Sequence, residues 1–106
     1  FAQGIAGALY EKIEFDEDGN PINASFVDFL IPYATEIPSI EIHHLETPAP
    51  NNPLGVKGVG EAGCIAVGAT VASGIQDAMK HKSNAIFRQT PITPSMIHEG
   101  LFKTSS

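Results

Sequence analysis

The stretch GVKGVGEAGCIAVG, residues 55–68, sets a Lys57 ammonium, a Glu61 carboxylate and a Cys64 thiol among closely spaced glycines. Within it, G-V-G-E-A-G fits the dinucleotide-binding pattern G-x-G-x-x-G, and a helical stretch follows. That fingerprint also needs a strand directly before the first glycine and an acid at the end of a second strand. Here a proline-rich loop precedes Gly58, no second strand follows, and Asp77 falls inside the helical stretch. Glu61 would moreover place a carboxylate against the pyrophosphate, where like charges repel. No Gly-Lys-Ser/Thr closes a Walker loop. Glu61 itself can be read in two ways. A carboxylate where a glycine loop meets a helix N-terminus is kept ionised by the dipole and raised in pKa by burial, which together poise a general base. It can equally be an ordinary first-turn acid, and spacing alone favours that plainer reading.

The other chemically capable residues have plain readings too. His43 and His44 are neighbours on an alternating segment and point to opposite faces, so they do not chelate one metal together. DEDGN at 16–20 hints at a calcium loop, but its glycine comes fourth rather than sixth, and Val27 at the twelfth position cannot ligate. Cys64 lies in a first helical turn and is expected to be a small buried side chain. His81 and His98 are expected at a helix end and on the surface.

These residues need elements to hold them. FAQGIAGALYEK at 1–12 predicts a helix whose Gly4 and Gly7 make sense only with close backbone packing. Alternation at 12–15 predicts a strand, DEDGNP a turn, and 24–31 a second strand pairing back as a hairpin. IEIHHLE at 40–46 predicts a further strand, and TPAPNNPLG at 47–55 an ordered loop. Residues 61–80 predict a long helix with Ile65, Ala69, Ala72, Ile75 and Met79 at helical spacing, slim enough to be buried on several sides. Thr93 is set to cap a short helix that has Pro94 at its first position and Ile97 and Leu101 as its stripe. No internal repeat is present. The order is α+β rather than doubly wound: a hairpin and an extra strand packed with a long small-residue helix.

Composition narrows the partners. Twelve acids against six bases, a formal charge of −6, argue against nucleic acid. Lys80 and Lys82 form the one basic cluster, suited to a helix C-terminus. With 42% apolar residues the chain can bury a modest core in a single domain. A single cysteine fits a reducing compartment, and no run is long enough to span a bilayer, so a cytoplasmic setting is expected. The opening at Phe1, inside a helical pattern, predicts a fragment or processed piece.

FAQGIAGALYE, DEDGNPINASFVDFLIPYATEIPSIEI, HLETPAPNNPLGVKGVGEAG and ITPSMIHEGLF occur here in one order. Together they resemble the C-terminal end of the large, molybdenum-binding subunit of the xanthine dehydrogenase and aldehyde oxidase family. Among its members the likeness is to aerobic carbon monoxide dehydrogenase-like large chains and related aldehyde dehydrogenases. The resemblance implies that 1–106 is the C-terminal part of a larger molybdopterin-binding domain. Its cofactor would be a molybdopterin dinucleotide carrying molybdenum, held mainly by upstream residues. Glu61 matches the family's general base toward a molybdenum-bound hydroxyl or water. Lys57, Gly58, Val59 and Gly60 match the loop lying against the pterin, and Gln3 matches a glutamine near it. No metal ligand is implied. The implied partners are the rest of the large subunit, iron–sulfur and flavin subunits, and a small-molecule substrate: an aldehyde, a heterocycle or carbon monoxide. The fragment alone is expected to be inactive and cofactor-free. Two other readings stay open: a non-catalytic assembly module of the same fold, and a small dinucleotide-binding domain.

Overall fold

Helix α1, Ala2–Leu9, lies against the longest helix of the chain, and the residue that permits this is Gly4. A Cβ placed on Gly4 would sit 2.6 Å from Val67 Cβ and 2.8 Å from Val67 Cγ2, closer than van der Waals contact allows. Ile5, Ala6 and Ala8 of α1 are buried in the same seam. A computed structural model describes residues 1–102 of the chain. Helix α2, Ala62–Ile65, and helix α3, Val67–Met79, fall where one long helix is expected, broken by a single residue, Ala66, at φ −91°, ψ −9°. The break turns Ile65 outward, 84% exposed, and starts the buried stripe of α3 at Val67. Residues 67–68, 71–72, 75–76 and 79 form that stripe, whereas Ala69 is exposed. Within this chain α3 therefore buries one face, not several.

Helix α4, Pro94–Phe102, starts as its sequence predicts. The Met96 N–H donates to Thr93 Oγ1 at 3.3 Å, the geometry of an N-cap, and Pro94 fills the first position, where no donor is needed. Gly100 lets α4 approach its neighbours: a Cβ there would meet Ala85 Cβ and Met79 Cε, each at 3.1 Å. Ser83 Oγ donates to the Gly100 carbonyl and accepts from Ala85 N–H, tying the α3–α4 connection to α4. Ile92, fully buried, caps the small core, and its N–H donates to Ala8 O at 2.7 Å.

Among the described residues the expected sheet is not formed, and the only bridge is Phe15↔Pro21, closed around the 16–20 turn. In that turn Asp16 Oδ1 accepts from the N–H groups of Asp18 (3.0 Å) and Asn20 (2.8 Å), and Gly19 takes φ +83°. The turn is a self-contained Asx structure. Residues 24–31, expected to pair back, instead fold on themselves: Ser25 Oγ donates to Asp28 Oδ2 at 2.6 Å, and Phe29 N–H to Ser25 O at 2.8 Å. Residues 40–46 make no ladder. The α+β expectation is thus corrected to a mostly helical arrangement with long irregular segments. The reason is physical, since alternation creates a strand only when a second backbone lies beside it.

The irregular segments include one 3-10 turn, Ala34–Glu36, in which Tyr33 N–H donates to Glu36 Oε2 at 2.6 Å. The chain spreads over 61 × 38 × 27 Å with a radius of gyration of 18.1 Å, against about 13 Å for a compact domain of this length. Its accessible surface is 8759 Å2, where a compact monomer of 11.2 kDa would expose about 5,700 Å2. Phe26, Val27, Leu45 and Leu54 are each more than four-fifths exposed. No described helix is long and apolar enough to cross a membrane.

Two expectations test this packing. In the complete subunit, Gly4→Ala is expected to cost about 1–3 kcal/mol through the clash with Val67, read as a lowered urea midpoint. Gly7→Ala, whose Cβ meets nothing within the chain, is expected to shift stability by no more than about 1 kcal/mol. The backbone and side-chain donors of Asn20 hold the Asp16 carboxyl below its ordinary value of 3.8, with the Asp18 and Gly19 amides adding to the effect. A depressed carboxyl pKa adds order that is present above the unfolded value and lost as pH falls through the folded one. NMR titration should therefore find Asp16 below 3.8, with the Gly19 and Asn20 amide shifts moving on the same curve.

Candidate functional site

Glu61 is the N-cap residue of α2, at φ −107°, ψ 8°. Its side chain makes no capping bond, is exposed, and has no hydrogen-bond or ion-pair partner among the described residues. An acid serving only to cap α2 would accept from the helix's free N–H groups, and this one does not. The carboxylate projects away from the chain's own packing.

The loop leading to it is held from behind. Gly55 takes φ +66° and its backbone presses on Pro48, where a Cβ would lie 2.9 Å from Pro48 Cβ. Only a residue without a side chain accepts both conditions. Ala49 N–H donates to Gly55 O (3.1 Å), Gly55 N–H to Asn52 O (2.9 Å), and Leu54 N–H to Asn52 Oδ1 (2.9 Å). Asn52 Nδ2 reaches Val56 O at 3.2 Å, and Lys57 Nζ donates to Thr47 Oγ1 at 2.9 Å across the loop mouth. The proline-rich loop is thus closed on itself just before the glycines begin.

Beyond Lys57 the character changes. Gly58, Val59, Gly60 and Glu61 are exposed, and none of their N–H groups has an acceptor among the described residues. A Cβ on Gly58 or Gly60 would meet nothing within 4 Å, so packing inside this chain does not call for either glycine. Free amide donors on a side-chain-free backbone suit a broad, oxygen-rich, anionic group lying flat against the loop. A pterin with attached phosphates is of that kind, and the residues present fit it.

Gln3 sits in the first turn of α1, exposed and without a partner among the described residues. The start of α1 abuts α2: a Cβ on Gly63 would be 3.8 Å from the Phe1 nitrogen. Gln3 and Glu61 therefore belong to touching elements, although no hydrogen bond joins Gln3, Lys57 and Glu61 to one another. Thr47, Asn52 and Gly55 were not legible as supports. Asn52 beside prolines signals a turn, but nothing in the sequence pairs Thr47 with Lys57.

The remaining candidates fall elsewhere. His43 Nε2 lies 3.7 Å from Glu41 Oε2 on the exposed run, and the His98 ring lies 4.7 Å from that of Phe102. Cys64 is a free thiol, half-buried rather than buried as expected. Among the described residues no three His, Cys, Asp or Glu side chains gather closely enough to hold a metal ion.

Comparison with known proteins bears on the chain as a whole. Residues 1–38 match the model of the molybdopterin cofactor-binding domain. The chain is 46% identical over 96 residues to the 6-hydroxypseudooxynicotine dehydrogenase complex subunit gamma of Paenarthrobacter nicotinovorans, covering 90% of this chain and 12% of that one. It is 45% identical over 60 residues to the carbon monoxide dehydrogenase large chain of Afipia carboxidovorans, covering 57% of this chain and 7% of that one. Quinoline 2-oxidoreductase from Pseudomonas putida 86 superimposes with a TM-score of 0.85 at 35% identity, over 98% of this chain and 14% of its own. The chain thus spans about an eighth of the length of the curated relatives that it matches along most of its sequence. Over that length, the chain belongs to the molybdopterin-binding large subunits of the xanthine dehydrogenase family.

Proposed function

We propose that this segment supplies the proton acceptor and part of the cofactor-facing loop of a molybdenum-dependent oxidoreductase, with residues 1–106 forming part of one molybdopterin-binding domain. The observation that carries the reading is Glu61: a carboxylate exposed and unpartnered at the head of α2, at the end of a loop whose backbone donors are also unused. When bound, the molybdopterin cofactor supplies the oxygen transfer and takes up two electrons.

The chain's own residues have separable tasks. The N–H groups of Gly58, Val59 and Gly60 would donate to acceptors on the pterin or its phosphates, and Gly58 and Gly60 leave it room. Lys57, held to Thr47, adds a positive charge at the mouth of that loop. Gln3, on the first turn of α1, would donate or accept at the cofactor's edge through its amide. Glu61 would accept the proton released as the attacking oxygen adds to the substrate carbon, from its place at the head of α2. The substrate is a small molecule with an oxidisable carbon, and the partners are the rest of the large subunit with iron–sulfur and flavin subunits.

In the complete enzyme, Glu61→Gln is expected to retain molybdenum while turnover falls by about 10^2- to 10^4-fold, the range of a lost general base. Metal analysis and kcat measured side by side check this, and turnover near the wild-type rate would remove Glu61 from the role. Gly55→Ala tests the mounting separately. Strain at φ +66° and the contact with Pro48 should displace the loop, lowering kcat about tenfold or more with the carboxylate intact.

A further inference from the structure

We propose that residues 39–46 add as a β-strand to the edge of a sheet in the remainder of the same large subunit. The inference rests on the chain being one part of that subunit and names the surface by which the part is held. From 38 to 49 the backbone runs without turn or bend. No N–H or C=O between 38 and 48 has a hydrogen-bond partner among the described residues. Unpaired backbone groups persist where water reaches them, but a run this long is a complete, unused strand edge.

The side chains alternate as a strand requires. Ile40, Ile42 and His44 fall on one side, with Ile40 45% and Ile42 72% exposed. Glu41 and His43 fall on the other, and their 3.7 Å approach shows that residues two apart share a side here. Leu45, on that second side, is 97% exposed. Between 39 and 46 there is no lysine or proline to blunt the edge, and the only acids are Glu41 and Glu46. The segment is also fixed at both ends, by the Tyr33–Glu36 turn before it and the Lys57–Thr47 bond after it. It is presented as a straight rail, the form in which strand addition gains main-chain hydrogen bonds with little ordering left to do.

The occupant follows from length. The curated relatives that match along most of this chain are about eight times longer, so the polypeptide that continues around it can provide the edge. A second copy is disfavoured, because each chain carries a formal charge of −6 and the run itself holds Glu41 and Glu46.

Hydrogen exchange on the complete large subunit tests the proposal. The amides of 40–46 are expected to exchange about 100-fold or more slowly than an unstructured chain, with Ile5–Ala8 as the folded reference. Ile42→Pro should abolish that protection across 40–46, while Ile42→Thr, which keeps β-propensity, should retain it. Glu61→Gln should leave it unchanged, so loss of turnover and loss of pairing are read separately. Free exchange at 40–46 while Ile5–Ala8 stays protected overturns the proposal. So does protection that depends on protein concentration and accompanies a doubled mass, which would assign the edge to a second copy.

Discussion

The approach of Gly4 to Val67 governs where everything else can lie. A helix carrying any side chain at position 4 would stand off from α3, and the start of α1 would leave α2 with it. Because the two backbones close on each other, Ile5, Ala6, Ala8 and Val67 form a thin apolar seam and Phe1 comes to rest beside Gly63. Small residues achieve in this seam what large ones achieve in a thicker core. Dispersion between closely packed atoms replaces the burial of bulky groups, and the cost is sensitivity to a single methyl.

Local chemistry was the legible part of the sequence. Helix α1, the Asp16 turn and the Thr93–Pro94 start of α4 are each determined within a few residues by capping, turn geometry or spacing. The break at Ala66 was not legible, because alanine carries no breaking signal. Once it rotates Ile65 off the face, the stripe counted from Ile65 and Ala69 gives way to one counted from Val67 and Val71. Ile92 was missed for a related reason: a lone apolar residue between Pro91 and Pro94 has no period to announce it, yet it is the most buried side chain of the core. The strands were read from a real pattern. Alternation at 40–46 records what the side chains are prepared for, and pairing depends on a neighbour that the pattern cannot name.

The site divides along the same line. Glu61 and the glycines around it were singled out by residue type and by the family resemblance, spacing alone favouring an ordinary first-turn acid. Their supports were not legible, since Lys57–Thr47 and Gly55–Pro48 are contacts across a loop. Positional information of that kind resides in the folded loop rather than in any short motif.

The 47–57 loop holds Pro48, Pro50 and Pro53, an asparagine bonded in both directions, and a closing lysine–threonine bond. Prolines remove freedom from the unfolded chain, and the internal bonds remove it from the folded one. Such a loop behaves as a bracket rather than a lid, so on the proposed role the base is delivered in position before substrate arrives. Evolution could then alter the pocket walls elsewhere in the subunit and leave the bracket alone. A stiff mount shared across a family would let unlike substrates meet the same proton acceptor.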